Sequence, residues 1–77
     1  MNRTFLIENF NEYINTFRLH AFKIIALHPA NQHITLLGLA YESGFNSKTV
    51  FNTCFKKMEG LTPSAWVRRQ KTIEKVR

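Results

Sequence analysis

Four helix-breaking positions, Pro29, Gly44, Gly60 and Pro63, punctuate a 77-residue chain whose apolar residues otherwise recur at helical spacing. No stretch alternates apolar and polar residues as a half-buried strand must, so the chain is predicted to be all-helical. Proline fixes its own φ, lacks an N–H, and disfavours helix in the residue before it. Glycine reaches the positive φ at which a helix can stop sharply. Between these breaks there is room for one long helix and three shorter ones.

The long helix is predicted to open at Asn9, which stands three residues before Glu12 at capping-box spacing. At 100° per residue, Phe10, Tyr13, Ile14, Phe17, Ala21, Ile24 and Ile25 fall on one face, and Pro29 should stop the helix near Leu27. Leu19, Phe22 and Ala26 fall on a second side. That pattern predicts a bridging helix with a neighbour on each side, Leu19, Phe22 and Ala26 facing a neighbour this chain is too short to supply. Met1 to Glu8 carry no start signal and read as a lead-in. Residues 28–33 are a polar connector. A short helix capped by Thr35 follows, with Leu36, Leu39 and Ala40 on its buried side and Gly44 at its end. A third helix, capped by Asn46 or Ser47, runs to Glu59, with Phe51, Cys54, Phe55 and Met58 as its apolar stripe and Gly60 as its stop. Thr62-Pro63 then pairs a cap with a proline at the first helical position. The last helix sets Ala65, Trp66, Ile73 and Val76 among basic residues.

Charge is distributed unevenly along this plan. The chain has 11 Lys and Arg against 5 Asp and Glu, a formal net charge of +6. Residues 1–33 hold Arg3, Arg18 and Lys23 against Glu8 and Glu12, while every other charge lies in residues 34–77, where eight basic residues face three acidic ones. A basic surface confined to the C-terminal half favours a polyanion, either nucleic acid or an anionic membrane. A 44% hydrophobic, 13% aromatic composition supplies a core. The single cysteine, Cys54, rules out an internal disulfide and fits a reducing compartment. No apolar run approaches the ~20 residues that span a bilayer, and no signal-peptide layout opens the chain. A soluble, cytoplasmic protein is the expectation.

Two short helices joined at a glycine turn, the second polar and basic on its outer face, describe a helix-turn-helix. Ala40 is small where the helices must cross, Gly44 stands where the chain reverses, and Leu36, Leu39, Phe45, Phe51 and Phe55 can fix the crossing angle. The stretch from Leu39-Ala40 through Gly44-Phe45-Asn46-Ser47 to Phe51, then Phe55-Lys56-Lys57-Met58-Glu59-Gly60-Leu61-Thr62-Pro63, closely resembles the second helix-turn-helix of the AraC/XylS family. Asn9 to Leu27, with Tyr13-Ile14-Asn15 and Arg18, resembles that family's long linker helix. The resemblance spans about residues 9–70. Phe22 departs from it by standing where a small residue is usual, Gly38 replaces a common acidic position, and Val50 sits where Tyr is frequent.

The resemblance implies a homeodomain-like three-helix subdomain (34–77) preceded by a linker helix (9–27), together forming part of an AraC-type DNA-binding domain over 9–77. Residues 1–8 would be a lead-in or the remnant of a first helix-turn-helix subdomain missing from the chain, along with a sensor domain. Its partner would be double-stranded DNA, met within a bacterial transcriptional regulator.

Individual roles follow from side-chain chemistry. The outer face of the third helix offers Lys48, Thr49, Asn52, Thr53 and Lys56 to base edges. Asn can pair bidentately with adenine, Lys can reach guanine acceptors, and Thr brings a hydroxyl and a methyl. Asn46, Ser47, Lys57, Arg68, Arg69 and Lys71 are assigned to phosphates, which position a protein without reading sequence. Lys75 and Arg77 read as a solvated surface, and Trp66 as core rather than a base-stacking platform. His20, His28, His33 and Cys54 show no metal-ligand spacing, and no activated nucleophile, carboxylate pair or phosphate loop is present. Neither an enzyme nor a cofactor is expected. The competing readings are a protein-interaction module that docks a partner such as RNA polymerase through the Leu19, Phe22 and Ala26 patch, and a peripheral membrane binder. Small polar and basic residues on the third helix suit a DNA groove, whereas docking or membrane insertion would want exposed Leu, Phe or Trp there. With one recognition helix in place of two, binding is expected to be salt-sensitive and micromolar or weaker.

Overall fold

The computed structural model describes the backbone of residues 3–76 and the side-chain surroundings of residues 10–73. Among these residues four α-helices follow in order, α1 (Arg3–Ala26), α2 (Leu36–Glu42), α3 (Lys48–Glu59) and α4 (Pro63–Val76), with a single 3₁₀ turn at Pro29–Asn31. Among the described residues there is no strand. At 1.5 Å per residue α1 is about 36 Å long, which accounts for the elongated 48 × 22 × 17 Å outline.

The punctuation works as local chemistry predicts. Thr35 Oγ1 accepts from Gly38 N at 3.0 Å, Ser47 Oγ from Val50 N at 3.3 Å, and Thr62 Oγ1 from Ala65 N at 3.2 Å. Each hydroxyl satisfies one donor that a helix start leaves orphaned. Gly60 closes α3 with φ 75° and gives its N–H to Lys56 O. Gly44 takes φ 108°, and Phe45 N then donates back to Ala40 O at 3.1 Å, closing the turn between α2 and α3. The connector holds structure of its own: His28 Nδ1 accepts from Ala30 N, and Asn31 Nδ2 donates to Ile25 O at the end of α1.

Gly38 is the third residue of α2, where a glutamate could reach back to the Thr35 N–H and complete a capping box. The first turn of α2 carries no acidic residue. A Cβ at position 38 would meet Thr35 Oγ1 at 3.1 Å and Ile34 Cγ2 at 3.2 Å, so these neighbours must give by a few tenths of an ångström. Gly38→Glu is expected to stabilise the domain by about 1 kcal/mol, read as a rise of roughly 4–8 °C in melting midpoint. A fall in midpoint would mean that Ile34 does not yield.

The core gathers Leu19, Phe22 and Ala26 of α1, Leu39 and Ala40 of α2, Phe45 of the turn, Phe51 and Phe55 of α3, and Trp66 and Val67 of α4. Phe22 is fully buried. Its ring meets Phe51 edge-on at 4.9 Å and Phe55 at 5.6 Å. Phe55 passes the contact to Trp66 at 5.8 Å, and Phe51 passes it to Phe45 at 5.2 Å. These tilted and edge-to-face geometries suit the ring quadrupole. The bulk that departs from the family pattern at Phe22 therefore occupies the centre of this core.

Several expectations are corrected. The buried face of α1 is the one formed by Leu19, Phe22 and Ala26, while Phe10, Tyr13, Phe17 and Ile24 are each about 60% exposed. This reverses the expected order of the two faces, because apolar spacing marks both and only Phe22 finds an aromatic cluster to enter. The docking reading through Leu19, Phe22 and Ala26 falls with this, since a fully buried ring offers no surface. The first residue of α1 is Arg3, not Asn9. The apolar 3–4 spacing runs back through Leu6, so Asn9 and Glu12 are interior positions rather than a cap. Met58, expected in the stripe, is 48% exposed, and Ile73 is 46% exposed. Met58 lies on the rim of an open groove between α1 and α3, beside Asn11 and Glu12. Val76, Lys75 and Arg77 lie outside the residues whose side chains are described.

Candidate nucleic-acid interface

With Phe51 and Phe55 sunk in the core, the rotation of α3 is set and the opposite side must face solvent. Lys48, Thr49, Asn52, Thr53 and Lys56 are all exposed. The face bears hydroxyls, a carboxamide and two ammonium groups. Its chemistry is complemented by what is absent: the one carboxylate on α3, Glu59, forms an ion pair with Lys23 of α1, whose ammonium also lies 5.7 Å from the centre of the Trp66 ring. The apolar residues that α3 leaves exposed, Val50 and Met58, line grooves shared with α1 rather than the outer face. On the other flank, a depression of about 190 Å³ at the feet of Lys48 and Asn52 is walled by Leu36 and Leu37 of α2 and Thr62 to Ser64.

The residues assigned to phosphates are less uniform. Asn46, Arg68, Arg69 and Lys71 are exposed. Arg68 and Lys71, three apart, share one side of α4, whereas Arg69 is turned 100° from Arg68 and away from Lys71. Ser47 is half-buried and its oxygen is engaged as the cap of α3, which leaves its hydroxyl proton free to donate. Lys57 turns to α1, its Nζ 3.2 Å from Glu12 Oε1, with the side chains 71% and 62% exposed. An exposed pair of this kind is worth under about 1 kcal/mol, so a phosphate could displace it. Among the described residues no three His, Cys, Asp or Glu side chains converge as a metal site would require, and no helix is long and apolar enough to cross a membrane.

A small residue at the helix crossing, a glycine turn, a basic second helix held by a buried aromatic pair and a Thr-Pro start to the next helix form the complete frame of a helix-turn-helix. The family model described as a helix-turn-helix domain, of the AraC/XylS type, matches residues 3–69. The chain belongs to the AraC/XylS-type helix-turn-helix family. No curated protein and no solved structure matches it. As an AraC/XylS-type domain it is a DNA-binding module of transcription regulation.

A polar stripe on α1 lies outside the interface residues expected from the sequence. Asn11, Asn15 and Arg18 stand four and three residues apart, a spacing that puts them on one side of a helix. That side borders the start of α3, where they share a groove with Asn46, Ser47 and Val50. The spacing was visible in the sequence, but the neighbour that makes it matter was not.

Proposed function

We propose that this domain reads duplex DNA in a bacterial transcriptional regulator by laying α3 in the major groove, with Lys48, Thr49, Asn52, Thr53 and Lys56 toward base edges. Asn46, Ser47, Lys57, Arg68, Arg69 and Lys71 then hold the phosphates. One observation carries this reading: the outer face of α3 is exposed, basic and polar, with its single carboxylate bound elsewhere by Lys23. Helical side chains of this size fit a groove about 12 Å wide.

The test is an amide chemical-shift titration of the domain with short duplexes at low salt, repeated near physiological salt. Shifts should cluster on residues 46–57 and 68–71 and shrink as salt rises. Asn52→Ala should lower the preference for the favoured base pair at one position by roughly 5- to 150-fold, corresponding to about 1–3 kcal/mol for a bidentate contact, while nonspecific binding persists. Absence of shifts on α3, or shifts confined to α1, would defeat the reading.

The exposed face of Phe10, Tyr13, Phe17 and Ile24 supports a second element of the proposal. Tyr13 and Phe17 already pack edge-to-face at 5.1 Å, and with His20 they line a shallow, largely apolar hollow. This face suits the first helix-turn-helix subdomain that the family resemblance implies. On that arrangement α1 is a linker with a neighbour on each side, with its two faces exchanged relative to the expectation from sequence.

A further inference from the structure

A groove of about 300 Å³ runs between α1 and the start of α3, lined by Asn11, Asn15, Arg18, Asn46, Ser47 and Val50 along with the Phe45 ring. Its polar lining consists of carboxamides, a hydroxyl and one guanidinium, with no carboxylate. Arg18 is half-buried. Its stem lies along the turn so closely that a Cβ on Gly44 would stand 3.3 Å from Arg18 Cγ and 3.2 Å from Nε. One guanidinium nitrogen donates to Asn15 Oδ1 at 3.2 Å. Among the described residues the ion pairs are Lys23–Glu59 and Lys57–Glu12, and neither involves Arg18.

A guanidinium carries five N–H donors, and partial burial beside a neutral amide leaves its charge uncompensated. The stem alone would explain an apolar residue over Gly44, since long side chains cover surface with their methylenes. It does not explain the charged end, aimed at a groove with donors around it. The complement of such a site is an oxyanion. When a helix lies in the major groove, a sugar-phosphate backbone runs along each wall of that groove, and this cavity abuts the first turn of α3 on one flank.

We infer that Arg18, held by Asn15 and flanked by Asn11, grips a backbone phosphate of the bound duplex, extending the DNA contact from the helix-turn-helix onto α1. This rests on the proposed docking of α3. It makes Arg18 a positioning contact, which strengthens binding without selecting sequence.

The experiment measures duplex affinity across a series of NaCl concentrations for the native chain, Arg18→Met and Arg18→Lys. Methionine keeps an apolar stem over Gly44 and removes the charge, while lysine keeps the charge. Each neutralised phosphate contributes about 0.9 to the slope of log affinity against log salt. Arg18→Met is therefore expected to flatten that slope by about one and to weaken binding equally on all sequences, while Arg18→Lys keeps the native slope. An unchanged slope in Arg18→Met overturns the inference, because a purely structural arginine would alter the melting midpoint and leave the slope alone. The Nε–Hε resonance of Arg18 in the native chain gives a reading independent of any variant. It should move when duplex is added, and a stationary resonance on a duplex that shifts α3 overturns the Arg18 contact while sparing the docking of α3. If the native chain itself shows no salt-dependent DNA binding, the α3 docking fails first.

Discussion

Phe22→Ala is expected to cost the domain a large part of its stability and to lower its unfolding midpoint sharply. Truncating a buried phenylalanine costs about 3–5 kcal/mol, in lost transfer energy and in the cavity left behind. A chain of this length has a total stability of roughly 4–12 kcal/mol at 0.05–0.15 kcal/mol per residue. Phe22 is 0% exposed, and it is the residue through which α1 touches both rings of α3, Phe51 at 4.9 Å and Phe55 at 5.6 Å. Without it, α1 retains Leu19 and Ala26 as buried anchors, together with the ion pairs to Glu59 and Lys57. The matched control is Phe17→Ala. Phe17 is 60% exposed, and its loss should change stability by no more than about 1 kcal/mol. Thermal or urea unfolding followed by circular dichroism measures both. Equal destabilisation by the two substitutions would mean that the faces of α1 are misassigned.

Raising salt from 50 to 200 mM should weaken duplex binding by about 10²- to 10³-fold, provided that roughly four or five phosphates are neutralised. The exposed cations assigned to phosphates, Arg68, Arg69 and Lys71, are available for this without rearrangement, and Arg18 adds a further contact if it grips the backbone as inferred. Lys57 must first exchange Glu12 for a phosphate, and since both side chains are mostly exposed the exchange costs little. Lys23 should contribute nothing, because it is committed to Glu59 and to the Trp66 ring. Fluorescence anisotropy with a labelled duplex across the salt range gives the slope directly. Affinity that holds constant over this range would mean that the basic surface is not meeting phosphates and would turn attention to the aromatic face of α1.

How much of this was legible beforehand depends on the range of the forces involved. The caps at Thr35, Ser47 and Thr62 and the turns at Gly44 and Gly60 each satisfy a backbone group within four residues, so neighbours in the chain suffice to predict them. The same holds for the exposed face of α3. Once Phe51 and Phe55 are taken as core, helical geometry places Thr49, Thr53 and Lys56 opposite them. The start of α1 is not legible in this way, because a capping-box spacing is a weak local signal, and it sits inside a longer apolar repeat that overrides it.

The amino-acid sequence by itself thus determined that the chain is helical, where α2 and α3 begin and end, where α1 stops and α4 starts, which side of α3 meets solvent, and that its basic charge lies in the C-terminal half. Only the tertiary structure decided which face of α1 is buried. Two apolar stripes compete on that helix, and periodicity ranks neither. The choice falls to Phe22, whose ring fits between Phe51 and Phe55, side chains about thirty residues away in sequence whose position no local propensity encodes. The same packing turns Asn11, Asn15 and Arg18 toward the start of α3 and ties Glu59 to Lys23. Both the anion groove and the uninterrupted basic face therefore depend on contacts between helices.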